Sequence, residues 1–197
     1  NFRPHVNCVN ITPDQKYLCA VDLGVDQVKI YKFNDETGKI TLVDMLRCEL
    51  ESAPRIIKFS PDGRFAYLIC ELKNYISVYS YKDGPRGPVF ELVQTISTLN
   101  EYHSKGSAAC VLRFSRDWNY VLCSNAGDNS VGIFKIDRET GMLEKICILP
   151  VSGDYPKAAD FFPDNRHIMA LNHESNTMTI FRINYEKKYF SLWGKPL

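Results

Sequence analysis

The chain is predicted to be all-β, folding as four four-stranded antiparallel units that are blades of a β-propeller. Three observations predict this. A turn signature recurs at Thr12-Pro13-Asp14-Gln15-Lys16-Tyr17, Ser60-Pro61-Asp62-Gly63-Arg64-Phe65, Ser115-Arg116-Asp117-Trp118-Asn119-Tyr120 and Phe162-Pro163-Asp164-Asn165-Arg166-His167. Its aspartates stand 48, 55 and 47 residues apart, a period that marks a solenoid or a propeller. Each copy carries four short β-type runs, and no stretch shows helical periodicity over three turns.

The runs of the first unit are Val6–Ile11, Tyr17–Val21, Gln27–Phe33 and Ile40–Leu46. Those of the second are Ile56–Phe59, Phe65–Ile69, Tyr75–Tyr81 and Val89–Ile96. The third has Cys110–Phe114, Tyr120–Cys123, Ser130–Ile136 and Leu143–Leu149, and the fourth Ala158–Phe161, His167–Leu171, Thr177–Ile183 and Lys188–Leu192. They are rich in Val, Ile, Tyr, Phe and Cys, and Val28-Lys29-Ile30-Tyr31-Lys32-Phe33 alternates clearly, as a strand with one covered face should. Pro-Asp, Gly-Val-Asp and Glu-Thr-Gly turns separate them. Four antiparallel strands per repeat make a propeller blade. The blade units fall at about 4–52, 53–106, 107–154 and 155–197, within one domain. Residues 97–106, polar and rich in Ser and Gly, read as a longer connection between the second and third units.

Composition removes several functions. The 197 residues carry a formal net charge of +1, with both signs mixed along the chain. No basic stripe suits a nucleic acid, and no apolar run is long enough to span a membrane. Seven cysteines, odd in number and without a CxxC, lie inside apolar stretches. They read as reduced core thiols of a cytoplasmic protein rather than disulfides or zinc ligands, and neither metal nor cofactor is expected. The chain opens on Asn1 and ends Gly194-Lys195-Pro196-Leu197, which suggests a piece of a longer protein. An open array of blades exposes sheet faces and edges, so the expected partners are further blades of the same protein or association through those edges.

The turn aspartates serve as a ruler for placing residues. Seven residues before each of them, the first strand of a blade opens with Asn7, Arg55, Cys110 or Lys157. Nine residues after, the second strand closes with Leu23, Glu71, Ala126 or His173, preceded by Asp22, Cys70, Asn125 or Asn172. Antiparallel pairing puts both sets at the end of the blade away from the turn. Charge is costly at a strand's inner end unless a partner stands near, and Arg55 and Glu71 share a blade. Arg55, Glu71 and His5 could therefore clamp an anionic, oxygen-rich small molecule and move a proton on it. A structural salt bridge lining a water-filled channel is the competing reading. His103 and His167 read as surface residues, and Trp118 as local packing where a turn glycine would stand.

With these residues in place, the sequence resembles the 6-phosphogluconolactonase-like family of seven-bladed propellers, whose relatives include carboxymuconate-lactonizing enzymes. The matching segments are Pro4-His5-Val6-Asn7, Val21-Asp22-Leu23-Gly24-Val25-Asp26, Ala53-Pro54-Arg55, Phe59-Ser60-Pro61-Asp62-Gly63 and Cys70-Glu71-Leu72. Ile96-Ser97-Thr98-Leu99, Ser124-Asn125-Ala126-Gly127, Asp137-Arg138-Glu139-Thr140-Gly141, Tyr155-Pro156-Lys157 and Ala170-Leu171-Asn172-His173-Glu174-Ser175-Asn176 follow in order. The resemblance implies the C-terminal four blades or so of seven. It also implies opening or formation of a lactone without a required metal, with His5, Arg55 and Glu71 at catalytic positions. Asn7, Asp22, Asn125, Lys157 and His173, which the turn ruler sets at the same strand ends, are expected to bind substrate. The family pattern has His at Asn7, Asn at Cys70, Arg at Ala126 and Lys157, and Gln at His173. An Arg-to-Lys change loses the fork that grips a carboxylate. Two functions are therefore expected in competition. One is hydrolysis of a sugar-type lactone, with His5 or Glu71 as base and Arg55 as clamp; the other is a non-catalytic binding scaffold.

Overall fold

A computed structural model describes residues 3–101 and 106–197. His103 lies outside the described residues. Four four-stranded antiparallel sheets follow one another along the chain, and no helix occurs among the described residues. The first sheet is β1 (Val6–Ile11), β2 (Tyr17–Asp22), β3 (Gln27–Phe33) and β4 (Ile40–Arg47). The second is β5 (Pro54–Phe59), β6 (Phe65–Cys70), β7 (Tyr75–Gly84) and β8 (Gly87–Ser97). The third is β9 (Ala109–Phe114), β10 (Tyr120–Asn125), β11 (Ser130–Ile136) and β12 (Leu143–Pro150). The fourth is β13 (Pro156–Phe161), β14 (His167–Asn172), β15 (Thr177–Asn184) and β16 (Tyr189–Leu192). Within each sheet the strands lie in sequence order, the up-and-down meander of a propeller blade.

Several strands outrun the sequence reading. Strand β7 continues to Gly84 and β8 starts at Gly87, so Pro85 and Arg86 alone bridge them, with Gly87 at φ 121°. The connection after β8 is also less loose than its composition suggests. Thr98 and Leu99 are buried, Asn125 Nδ2 donates to the Thr98 carbonyl (2.8 Å), and Lys145 Nζ donates to that of Leu99 (2.7 Å).

The chain divides into two compact units, Asn1–Thr95 and Ile96–Leu197. In the first, Tyr17, Cys19, Val21, Val28 and Ile30 pack against Ile57, Phe59, Ala66, Leu68, Cys70, Tyr79 and Tyr81. In the second, Leu122, Val131, Ile133 and Cys147 pack against Ala159, Ile168, Ala170, Phe181, Ile183 and Phe190. These are the inward positions of alternating strands: Val28 and Ile30 are buried, while Gln27, Lys29 and Tyr31 between them are only partly so. Strand β6, apolar at every position, is buried along its whole length. The first sheet is different on its other face. Val9 and Ile11 are each 55% exposed, and Ile40, Leu42, Val43 and Met45 of β4 also face outward.

The repeated turn has one construction. Thr12 Oγ1 donates to Asp14 Oδ1 (2.6 Å) and accepts the Tyr17 N–H (3.1 Å), while Asp14 Oδ1 accepts the Lys16 N–H (3.2 Å). Ser60 with Asp62 and Ser115 with Asp117 repeat this. In the fourth turn Phe162 has no hydroxyl, and His167 Nδ1 meets Asp164 Oδ2 at 2.6 Å instead. Gln15, Gly63, Trp118 and Asn165 sit in the left-handed region at φ 60, 72, 57 and 54°. A tryptophan is costly there, and Trp118 is held by stacking on Phe114 with centroids 4.3 Å apart. In the first unit the turns also join the sheets. Tyr81 Oη donates to Asp14 Oδ2 (2.9 Å), and Tyr17 Oη to Asp83 Oδ1 (2.8 Å). Removing one such bond by Tyr81→Phe is expected to lower stability by about 1 kcal/mol, read as a drop in urea midpoint.

These turns are expected to make the protein acid-sensitive. Burial works to raise the carboxyls of Asp14, Asp62 and Asp117, but hydrogen bonds from the hydroxyl and backbone donors win and leave all three below their ordinary 3.8. The His167 contact takes Asp164 down to about 2. A carboxyl depressed on folding stabilises above its unfolded value and loses that contribution as pH falls through its folded value. The urea midpoint should therefore fall steeply between pH 4 and pH 2. In Asp62→Asn the fall should be shallower, as measured by circular dichroism at each pH.

Candidate active site

At the sheet ends away from the turns, the same frame is built four times. The N–H of the residue after β2, β6, β10 or β14 donates to the carbonyl eighteen residues earlier. The pairs are Leu23 to His5 (3.0 Å), Glu71 to Ala53 (2.8 Å), Ala126 to Ala108 (2.8 Å) and His173 to Tyr155 (2.9 Å). Next to this bond the ladder slips by one residue in every sheet. The residue left out of register is Asn7, Arg55, Cys110 or Lys157. Such a bulge bends its strand and re-aims the extra side chain. The positions counted from the turn aspartate are thus bulged residues, and strand alternation does not govern where they point.

In the second blade the frame carries complementary charges. Arg55 Nη1 donates to Glu71 Oε2, and both side chains keep about a quarter of their surface, 26% and 21%. Asn7 Nδ2 reaches across from the first blade to the Arg55 carbonyl (3.2 Å), and Asn10 Nδ2 does the same one step along to that of Ile57 (3.0 Å). The structure thus brings Asn7, Arg55 and Glu71 together within the first unit. A partly exposed guanidinium can bind an anionic group, and the carboxylate beside it can accept a proton.

The loop entering this blade is fixed from behind. Ala53 lies at φ 53°, a costly conformation for a residue with a Cβ. Its N–H donates to Asp26 Oδ1 (2.8 Å), that of Glu51 to Asp26 Oδ2 (2.8 Å), and that of Cys48 to the Asp26 carbonyl (3.0 Å). Asp26 is itself buried and left-handed at φ 54°. Sequence reasoning missed this anchor. The signal existed: Asp26, Asn74, Asn129 and Asn176 each stand twelve residues after a turn aspartate, at φ 54, 52, 52 and 50°, and Asp and Asn are the side chains that tolerate that region. In the second unit Asn129 acts alike, accepting the Tyr155 N–H at its Oδ1 (2.8 Å).

The remaining expected residues divide by exposure. Asp22 and Asn125 have no exposed surface and lie behind the frame. Asp22 Oδ1 accepts the N–H of His5 (2.7 Å) and of Gly24 (3.2 Å), and Oδ2 meets Lys29 Nζ at 3.1 Å. Burial alone would raise its carboxyl; these donors instead hold it below 3.8. A Cβ on Gly24 would stand 1.8 Å from the Arg3 carbonyl oxygen, so only glycine lets the segment bearing His5 pass. The His5 side chain is exposed. Asn125 Nδ2 is spent on Thr98 and Ser130. In the second unit Lys157 and His173 are exposed and share Tyr155, with Nζ 5.8 Å from its ring centroid and the two rings 6.4 Å apart. The third blade is apolar here, with Cys110 and Ala126 buried against Ala108 and Tyr155. No cluster of three metal-ligating side chains occurs among the described residues.

Comparison with known proteins agrees with the fold. Residues 2–196 match the family described as lactonase, 7-bladed beta-propeller. An uncharacterised protein of Lactococcus lactis is 34% identical over 177 residues, and one of Staphylococcus saprophyticus is 30% identical over 181. The matches cover 90% and 91% of this chain and 51% of each relative. Among solved structures, the periplasmic gluconolactonase PpgL of Pseudomonas aeruginosa superposes with a TM-score of 0.87 at 28% identity, covering 98% of this chain and 53% of that one. A candidate 6-phosphogluconolactonase of Bacteroides fragilis gives 0.84 at 28% identity, covering 98% and 55%. The chain spans about half the length of the relatives it matches.

Proposed function

Because the chain belongs to the lactonase family of seven-bladed β-propellers, we propose that it supplies the reacting groups of a lactone hydrolase. The observation that carries this is the Arg55–Glu71 pair on the bulged frame of the second blade, part exposed and steadied by Asn7. A lactone is an activated ester, so a base to deprotonate water and a cation to meet the tetrahedral oxyanion are enough. Glu71, or His5 at the mouth of the first blade, takes the proton. Arg55 turns from Glu71 toward the substrate's oxygen anion. Asn7 adds a polar contact, and Asp22 acts through His5 by holding its backbone. Lys157 and His173 offer an exposed cation and a ring at the matching positions of the fourth blade. The substrate class is a sugar-type lactone bearing an anionic or hydroxyl-rich group. The outward apolar face of the first sheet is proposed to be covered by further blades of the same protein.

A second reading, a binding scaffold without turnover, draws on the three blades whose frames carry Asn7 with Leu23, Cys110 with Ala126, and Lys157 with His173. Titrating the acid released from a six-membered sugar lactone separates the two. Hydrolysis above the spontaneous rate by the full-length protein, lost in Glu71→Gln, is the expected result. Equal rates with and without protein would leave only the scaffold.

A further inference from the structure

Leu50 is 71% exposed and Leu72 59%, and both stand at the end of the second blade that carries Arg55 and Glu71. Leu72 follows Glu71 directly, and its N–H donates to the Ser52 carbonyl (3.1 Å). Leu50 lies in the turn closed by the Ser52 N–H on the Glu49 carbonyl (3.2 Å). Glu51 of that turn is left-handed at φ 61° and anchored on Asp26. Lys73 Nζ donates to Glu49, tying the two turns together. Leu23, the counterpart of Glu71 in the first blade, is partly exposed as well.

The backbone frame does not require leucine here. Ten residues after the turn aspartates stand Gly24, Leu72, Gly127 and Glu174. In the fourth blade the Glu174 N–H makes the matching bond to the Asp154 carbonyl (3.2 Å), and Glu174 is exposed. The loop entering that blade runs Ser152-Gly153-Asp154-Tyr155 where the second has Leu50-Glu51-Ser52-Ala53. One exposed leucine is ordinary. Two on tied turns beside a charged site, where polar residues serve the fold equally well, have no structural reason to be there.

We propose that Leu50 and Leu72 form an apolar subsite, so that the substrate is a lactone carrying an alkyl or aryl arm besides the polar ring met by Arg55 and Glu71. This rests on the lactonase reading above. The ring's oxygens engage the guanidinium and the carboxylate, and the arm leaves the ring across the two leucines. Both turns are fixed by backbone bonds before any ligand arrives, so little ordering opposes binding there. Each methylene carried from water onto apolar surface favours binding by up to about fourfold. A hexyl arm covered from one side should therefore gain about tenfold in all.

The test compares glucono-δ-lactone with its 6-O-hexyl ether on the full-length protein. Turnover is read as kcat/KM for the two lactones, and binding of the two ring-opened acids by isothermal titration calorimetry. The hexyl compound should be preferred about tenfold in both measurements. Leu50→Ser combined with Leu72→Glu, which copies the residues of the fourth blade, should abolish that preference, and either change alone should lower it. Leu50→Met with Leu72→Met should keep it, since methionine offers a similar apolar surface. Equal affinities for the two acids in the unmutated protein would overturn the proposal, as would a preference that survives the double polar change. The acids separate this claim from the hydrolase itself. Preferred binding of the hexyl acid without turnover of either lactone supports the subsite and sinks the hydrolase, whereas turnover of both lactones without preference does the reverse.

Discussion

Replacing Arg55 with alanine is expected to lower kcat/KM for lactone opening by about 10²- to 10³-fold, the usual cost of removing one group that meets a developing oxyanion. The cause is position as much as charge. Arg55 is the residue left over where β5 slips against β6, and its carbonyl is held by Asn7 from the neighbouring sheet. With its backbone fixed on both sides, the guanidinium swings over a short arc between Glu71 and a bound anion. Arg55→Lys keeps the charge but loses the planar fork, and should recover only part of the rate. The guanidinium is partly exposed and outside the packed core, so the thermal midpoint should move little. A large fall in that midpoint, with activity lost only in proportion, would assign Arg55 to folding instead.

Asp26→Ala is expected to cost about 3 kcal/mol of stability, since it removes two hydrogen bonds to a carboxylate and strands two backbone donors. The Ala53 N–H is buried and has lost its acceptor, and Ala53 is left at positive φ with nothing to hold it. The loop bearing Glu51 and Ala53 should loosen, and with it the placement of Arg55. Asp26→Asn keeps one acceptor oxygen and a side chain that tolerates the left-handed region, so its loss should be roughly half. Urea midpoints for the three proteins check the order. An alanine variant as stable as the parent would show that the loop finds its conformation without Asp26.

The four-blade plan was legible because three independent signals agree: the spaced turn aspartates, the alternation of runs such as Val28 to Phe33, and Gly or Pro between them. Strand ends were read short where Pro54, Pro156, Asp22 and Asn172 belong to the ladder, since proline and polar residues count against a strand in any local reading. The Arg55–Glu71 pairing was legible from the turn register alone. The bulge that gives Arg55 its position was not, because an extra residue in a strand leaves no mark in composition. Nor does a sequence say which of two polar residues at a strand end faces outward. Asp22 and Asn125 looked as available as Asn7, yet the Asp22 carboxylate is taken up by backbone N–H groups and Lys29, and the Asn125 Nδ2 by a carbonyl and a hydroxyl. The anchoring role of Asp26 needed the third dimension as well, because its partners lie 25 and 27 residues away.

The claim that one blade's bulged frame carries the chemistry is tested most directly by a double-mutant cycle on the full-length protein. Lactone opening is measured for the parent, Arg55→Ala, Glu71→Gln and the double variant. Two groups acting on one tetrahedral intermediate are strongly non-additive, so the double variant should be about as slow as the slower single one. Two losses that multiply, or four equal rates, would contradict it.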